Sequence, residues 1–88
     1  MISVLHYWGD KPLRWFQSAR RHRVGRAHAL HVMTTNDPIV VPATAAFDER
    51  LVWIGVDDRG IELEIVALVL PDAVVVIHVM PTALRRTP

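Results

Sequence analysis

Residues 51–80, LVWIGVDDRGIELEIVALVLPDAVVVIHVM, decide the fold of this chain. Residues 51–56, 61–70 and 73–80 are rich in β-branched and apolar side chains, which favour strands. Asp57-Asp58-Arg59-Gly60 has the composition of a tight turn, and Pro71-Asp72 marks a second reversal. The stretch therefore predicts a meander of three consecutive antiparallel strands.

Two of these strands carry more apolar surface than one covered face requires. Residues 65–70 and 74–77 are apolar without alternation, a pattern typical of strands that are covered on both faces. The small elements expected from the rest of the chain suffice to cover one face only. A second copy of the chain or another protein is expected to cover part of the other face.

A first helix is predicted ahead of the sheet, over residues 11–22. Asp10 is a suitable N-cap, and Pro12 fits the first helical turn. Apolar side chains then recur at helical spacing on one side. These are Leu13, Trp15, Phe16 and Ala19.

Gly25 interrupts the chain, and residues 26–34 predict a second helix. Residues 39–47 are apolar but include Pro42, which limits them to an edge strand or irregular chain. The expected fold class is α+β, with two N-terminal helices packed on a small antiparallel β-sheet. No repeat or linker divides residues 1–88, so we expect a single domain.

Composition excludes several classes of protein. The chain has 88 residues, of which 51% are hydrophobic and 22% charged, so it is expected to fold rather than to be disordered. Its uncharged runs are too short to span a bilayer. It contains no cysteine, which rules out disulfides, thiolate zinc sites and cysteine nucleophiles within it. The first residues show no secretory signal pattern, and a cytoplasmic location is expected.

The formal net charge of +1 hides an uneven distribution. Residues 1–34 contain six cations against one aspartate, whereas residues 35–84 contain eight acids against two arginines. A basic N-terminal third is suited to attract a polyanion such as RNA. Solvated helix faces are also rich in arginine, so the charge pattern leaves both interpretations open.

Several short motifs occur in an order that resembles a known toxin family. They are Arg21-His22-Arg23-Val24, the strand and turn of residues 52–60, Leu63-Glu64-Ile65-Val66, and Val76-Ile77-His78-Val79-Met80-Pro81 followed by Arg85 and Arg86. Together they resemble the BrnT-like branch of the RelE/ParE superfamily, the toxins of type II toxin–antitoxin modules. The resemblance implies a compact RelE-like α+β fold, cleavage of messenger RNA, and neutralisation by a cognate antitoxin protein.

The chemistry of RNA cleavage can be tested against the residues themselves. Without a metal, cleavage needs a base for the 2′-hydroxyl proton, an acid for the leaving 5′-oxygen and a cation for the developing negative charge. Glu64 lies in an otherwise apolar strand and is the candidate base. His78 is the candidate acid, and Arg85 the candidate cation. The alternatives are an ion-paired surface carboxylate, a core histidine and a solvated arginine.

Other cations are candidates for binding the RNA backbone. Arginine suits phosphate because its guanidinium offers two parallel donors. The candidate RNA-binding residues are Arg14, Arg21, His22, Arg23 and Arg86. For any one of the arginines, a solvated surface role is the competing interpretation.

The register of the last two strands decides whether Glu64 and His78 can meet. If Pro71-Asp72 is a strict two-residue turn, Ile65 faces His78 and Glu64 lies on the opposite side of the sheet. A third turn residue or a β-bulge would shift the parity and restore the pair. The sequence leaves this alternative open.

Metal binding is the competing use of the histidines. His28 and His31 share one helix face at i, i+3 spacing, with His22 at a distance, but no carboxylate has a matching position. We therefore expect no metal or other cofactor. Trp8, Trp15 and Trp53 are expected to be core or interface anchors rather than base-stacking platforms.

The resulting expectation is a toxin that cleaves messenger RNA, on or off the ribosome, with a cognate antitoxin as partner and a homodimer as a further possibility. The alternative is a non-catalytic module that binds a partner protein, or a gyrase-like target, through its sheet face and basic helix.

Overall fold

The computed structural model describes residues 11–20 and 24–85, without the side chains of Ser18, Arg20 and Arg85. Within these ranges the chain forms one α-helix, five strands and two short 3-10 turns. The helix α1 is Arg26–Thr35; the strands are β1 (Leu13–Trp15), β2 (Ile39–Val41), β3 (Arg50–Val56), β4 (Glu62–Val69) and β5 (Val74–Pro81); the 3-10 turns are Gln17–Arg20 and Thr82–Arg85.

The strands form one mixed sheet in the order β1-β5-β4-β3-β2. Neighbouring strands are antiparallel except for β1 and β5, which are parallel. The predicted meander of β3, β4 and β5 is confirmed. The expectation for residues 39–47 is also confirmed, because β2 is an edge strand that ends just before Pro42.

The turn between β3 and β4 is organised by Asp57 and Gly60. The Gly60 N–H donates to the Asp57 carbonyl at 3.1 Å, and the Asp57 N–H donates to the Ile61 carbonyl at 2.8 Å. Gly60 has a φ of 81°, in the left-handed region that glycine occupies without a Cβ clash. These contacts close the hairpin and fix the register of β3 against β4.

The expectation of two N-terminal helices on a small antiparallel sheet is wrong. Residues 11–20 form β1 and a 3-10 turn instead of a helix, and the sheet is mixed and five-stranded. The reason is tertiary: Pro12 and Phe16 complete backbone hydrogen bonds with Val74 and Val76 on β5. The backbone hydrogen bonds that β1 supplies to the exposed edge of β5 outweigh the helix tendency of the apolar spacing in residues 11–20.

One face of the sheet carries the core. Leu51 and Trp53 of β3 and Leu63 and Ile65 of β4 are buried on this face. The predicted second helix is confirmed as α1, and it places three buried side chains against them: Ala29, Val32 and Met33. Burial of these apolar side chains is the main stabilising contribution to the fold.

The opposite face, here called the open face, carries alternate residues of the same strands. Ile39 and Ile54 are among its exposed apolar side chains. Glu64 and His78 are partly buried on it. No helix within residues 11–20 and 24–85 is long and apolar enough to cross a membrane.

Candidate functional site

A β-bulge in β5 places Glu64 and His78 on the same face. From the Pro71-Asp72 turn the register runs strictly, with Val69 opposite Val74 and Ala67 opposite Val76. It then shifts by one residue, so that Val66 rather than Ile65 lies opposite His78. Glu64 and Val66 share one face of β4, since side chains alternate along a strand. The bulge therefore turns His78 towards Glu64.

The two side chains form a hydrogen-bonded pair. His78 Nε2 lies 3.1 Å from Glu64 Oε2. The His78 side chain is 32% exposed and the Glu64 side chain 14%, so the pair is partly withdrawn from water but still reachable from outside. A carboxylate and an imidazole in direct contact can accept, donate and exchange a proton.

Arg14 is a described cation on β1, the strand next to the one that carries His78. It is exposed, and it lies opposite Val75 on the strand beside His78, while the neighbours Leu13 and Trp15 pack against the core. Arg14 and Glu64 thus lie on the two sides of the strand that carries His78. The direct partner of Arg14, Val75, stands three residues before His78 along β5.

The predicted Arg85 ends the 3-10 turn that follows β5. This turn packs against β4 and β5, and the Thr82 hydroxyl anchors it by donating to Glu62 Oε1 at 2.7 Å. The backbone of Arg85 therefore continues from the end of the strand that holds His78. The remaining predicted RNA-binding residues lie outside the described part of the chain: Arg21, His22, Arg23 and Arg86.

Two residues of this face were not among the predicted site residues. Ile77 is the extra residue at the register shift, and nothing in its apolar surroundings marks it in the sequence. Arg50 begins β3, and its guanidinium carbon lies 5.8 Å from the centre of the Phe47 ring. The alternation of β3 is the signal that could have placed Arg50, because Leu51 and Trp53 define the core face.

A second cluster joins the start of α1 to the turn between β3 and β4. His28 Nδ1 lies 2.6 Å from Asp58 Oδ1, and this hydrogen bond lowers the pKa of Asp58. Burial raises the pKa of Asp57, but hydrogen bonds from Arg59 and Ile61 outweigh it and bring the pKa to about 2. The sequence alternative of a metal site places His28 beside His31, whereas the structure pairs His28 with Asp58.

This cluster has the ligand types of a metal site, with the relevant atoms of His28, Asp57 and Asp58 within 4.8 Å of one another. The donor set does not fit a cation well. Asp57 Oδ2 accepts hydrogen bonds from the Arg59 guanidinium at 2.7 and 3.0 Å, and Oδ1 accepts from two backbone N–H groups. A metal ion would have to displace a guanidinium that already neutralises this carboxylate.

The chain was also compared with known proteins. It matches no protein-family model, no curated protein and no solved structure.

Proposed function

We propose that this protein is the toxin of a type II toxin–antitoxin pair and acts in the cytoplasm as a metal-independent endoribonuclease on messenger RNA. The observation that carries the proposal is the 3.1 Å contact between Glu64 and His78 on the open face. A bulge is needed to form this contact, and both side chains stand among apolar neighbours in their strands.

In the proposed reaction Glu64 accepts the proton of a ribose 2′-hydroxyl. The 2′-oxygen then forms a bond to phosphorus while the bond from phosphorus to the 5′-oxygen breaks. Protonated His78 donates a proton to the leaving 5′-oxygen. The products are a 2′,3′-cyclic phosphate and a 5′-hydroxyl. Transfer of a proton from Glu64 to His78 along their hydrogen bond restores the starting state.

A cation completes this chemistry by stabilising the charge that develops on the phosphate oxygens. Arg85 is proposed for this role because its segment follows β5 directly and packs beside β4. Arg14 is proposed to hold a neighbouring phosphate, since it lies on the other side of His78. The positive charge of Arg14 on the neighbouring strand also offsets part of the negative charge of Glu62 and Glu64 for an anionic substrate.

The toxin–antitoxin setting is supported by the order of the short motifs that resemble the BrnT-like branch. Exposed apolar side chains on the open face add a physical reason for a partner. Ile39, Ile54 and Val56 are large apolar residues left in contact with water. A cognate antitoxin that covers them would stabilise the toxin by burial and block access to Glu64 and His78.

The proposal is tested by replacing each member of the pair with a neutral residue of similar shape. Glu64→Gln and His78→Gln should each lower the rate of RNA cleavage by about 100-fold or more, because each removes a proton-transfer group. Matched controls are Glu49→Gln, a glutamate just before β3, and His31→Gln, an exposed histidine of α1. Cleavage is measured with a labelled RNA in the presence of EDTA.

The controls should cut at nearly the wild-type rate, and thermal melts should show that all four variants are folded. Equal rates for wild type, Glu64→Gln and His78→Gln would remove the pair from the reaction. A wild-type protein that never cuts RNA, alone or with ribosomes, would contradict the ribonuclease itself.

The second candidate is a non-catalytic protein-interaction module, and the exposed apolar residues of the open face favour it. In that case Ile54→Thr should weaken partner binding, whereas Glu64→Gln and His78→Gln should leave every cellular effect of the protein intact. Growth of cells that express each variant separates the two candidates. Loss of toxicity with Glu64→Gln supports the nuclease, and retention supports the module.

A further inference from the structure

We infer that Arg14 and Phe16 form a nucleotide-binding strip beside the Glu64–His78 pair, in which Arg14 holds a phosphate and Phe16 stacks on an unpaired RNA base. The inference rests on the proposed function and names how its substrate is held. It commits to a single-stranded RNA segment, because a base inside a duplex does not expose its face to a side chain.

The position of Phe16 follows from the β1–β5 ladder. The Phe16 N–H donates to the Val76 carbonyl at 2.9 Å, which extends the ladder one residue beyond Trp15. Leu13 and Trp15 pack against the core, so the alternation of an extended chain puts Arg14 and Phe16 on the open side. Phe16 consequently lies on the same side of the sheet as Arg14, next to the part of β5 where the bulge begins.

The exposure of Phe16 has no explanation in the packing of the described residues. Its surface is 57% exposed, although it lies between the half-buried Trp15 and the 3-10 turn that carries buried Ala19. A large exposed aromatic ring next to an exposed arginine is the combination by which proteins hold single-stranded nucleic acid. The guanidinium matches the phosphate in charge, and the ring matches the base in shape.

The other described aromatic residues are engaged elsewhere. Trp53 is fully buried in the core. The ring of Trp15 lies 5.4 Å from the guanidinium carbon of Arg26 at the start of α1. The ring of Phe47, in the loop before β3, lies 5.8 Å from the guanidinium carbon of Arg50. Phe16 is therefore the described aromatic residue that stays exposed at the end of the β1–β5 ladder.

The strip is tested by binding rather than by cleavage. The probe is a fluorescent ten-nucleotide RNA whose 2′-hydroxyls are methylated, so that it cannot be cut by 2′-oxygen attack. Phe16→Ala should weaken binding of this RNA at least about fivefold, as expected for loss of one stacked base, while Phe16→Tyr should bind like wild type. Phe47→Ala, which removes an exposed ring from another part of the surface, is the matched control.

Salt dependence separates the two members of the strip. Arg14→Gln should reduce the slope of log affinity against log salt concentration by about 0.7, the value for one phosphate contact on a single strand. Phe16→Ala should lower affinity at every salt concentration without changing the slope. A series of RNAs with one base removed at each position should contain one on which Phe16→Ala has no further effect.

The outcomes are distinct. If wild-type protein binds the RNA and Phe16→Ala binds it with the same affinity, the strip is overturned and the ribonuclease proposal is unaffected. Equal losses for Phe16→Ala and Phe47→Ala also overturn it, because the effect is then not local to β1. Wild-type protein that shows no RNA binding contradicts the proposed function, and the strip with it.

Discussion

Asp57 is a buried carboxylate whose charge is balanced within a single turn. Its oxygens accept hydrogen bonds from the Arg59 side chain and from the backbone N–H groups of Arg59 and Ile61. These contacts favour the ionised form and bring the pKa from 3.8 to about 2. A group with a lowered pKa in the folded state stabilises the fold only while it is ionised.

The stability of the protein is therefore predicted to fall on acidification between about pH 4 and pH 2. The contribution of Asp57 is fully present above its ordinary pKa of 3.8 and is lost as the pH falls towards about 2. Urea unfolding midpoints measured across this range report it. Asp57→Asn should be less stable at neutral pH and should lose less stability over the same range, whereas Asp72→Asn, at an exposed position, should follow wild type. An unchanged acid profile in Asp57→Asn would contradict this role.

At Gly55, the Asn36 side chain that follows α1 lies close against β3. A Cβ at this position would lie 2.4 Å from Nδ2 of Asn36, whose side chain donates to the Val32 carbonyl at 3.0 Å. Gly55→Ala should therefore destabilise the protein by about 1 kcal/mol, because Asn36 must give up its hydrogen bond to the Val32 carbonyl in order to move away. Thermal or urea unfolding measures the change. In a double-mutant cycle Asn36→Ala should relieve part of the cost, and strict additivity of the two changes would argue against the clash.

At the scale of elements, the bulge in β5 connects the fold to the site. The turn after β4 has two residues, since the Leu70 N–H donates to the Ala73 carbonyl across it. If the ladder continued from this turn without a bulge, Glu64 and His78 would lie on opposite faces of the sheet. The shift between Val66 and Ala67 reverses the parity halfway along the strands. This explains why turn composition alone could not decide whether the pair forms.

An engineered disulfide between β4 and β5 should report their register, and its formation is easy to interpret because the chain has no cysteine of its own. Val66 and His78 are cross-strand partners, and partners of this kind have Cα separations that a disulfide can span. Val66→Cys with His78→Cys should oxidise readily, as measured by loss of free thiols. Ile65→Cys with His78→Cys, the pair that a strict ladder would align, should remain reduced. The reverse result would show that the bulge is absent.

Elements differ in how far the sequence predicts them. The strands of residues 51–80 have long apolar runs with clear turns between them, so local signals suffice. Leu13 and Trp15 alternate over too few residues to outweigh a helical spacing, and the hydrogen bonds that make β1 a strand come from a distant part of the chain. Glu64 and His78 stood out as polar residues in apolar strands, but their contact depends on a bulge without a sequence marker.

At the scale of the whole molecule, α1 and the 3-10 turn after β1 cover one face of the sheet, and the open face keeps exposed apolar residues. Ile54 is 40% exposed in the centre of β3. A small domain buries a limited share of its surface and gains stability from association. The same face carries the Glu64–His78 pair, so a partner bound to this face would also restrict access to the pair.

We predict that the protein associates through the open face, with itself or with an antitoxin. Ile54→Thr keeps a β-branched residue on the strand but removes apolar surface, and it should weaken association measured by sedimentation over a range of concentrations. Leu30→Thr on α1 is the control, because Leu30 is exposed to a similar degree, 37%. A monomer at all concentrations, with no rise in melting temperature on adding a partner, would rule out this role for the face.

We propose that the Glu64–His78 pair cleaves RNA by attack of the adjacent 2′-oxygen, and the chemical nature of the RNA ends reports whether this reaction occurs. Purified protein is incubated with a defined RNA in excess EDTA, and the fragments are analysed by mass spectrometry. We expect fragments that end in a 2′,3′-cyclic phosphate, with 5′-hydroxyl groups on the other side of each cut. Fragments with 3′-hydroxyl and 5′-phosphate ends, or cleavage that EDTA abolishes, would contradict it.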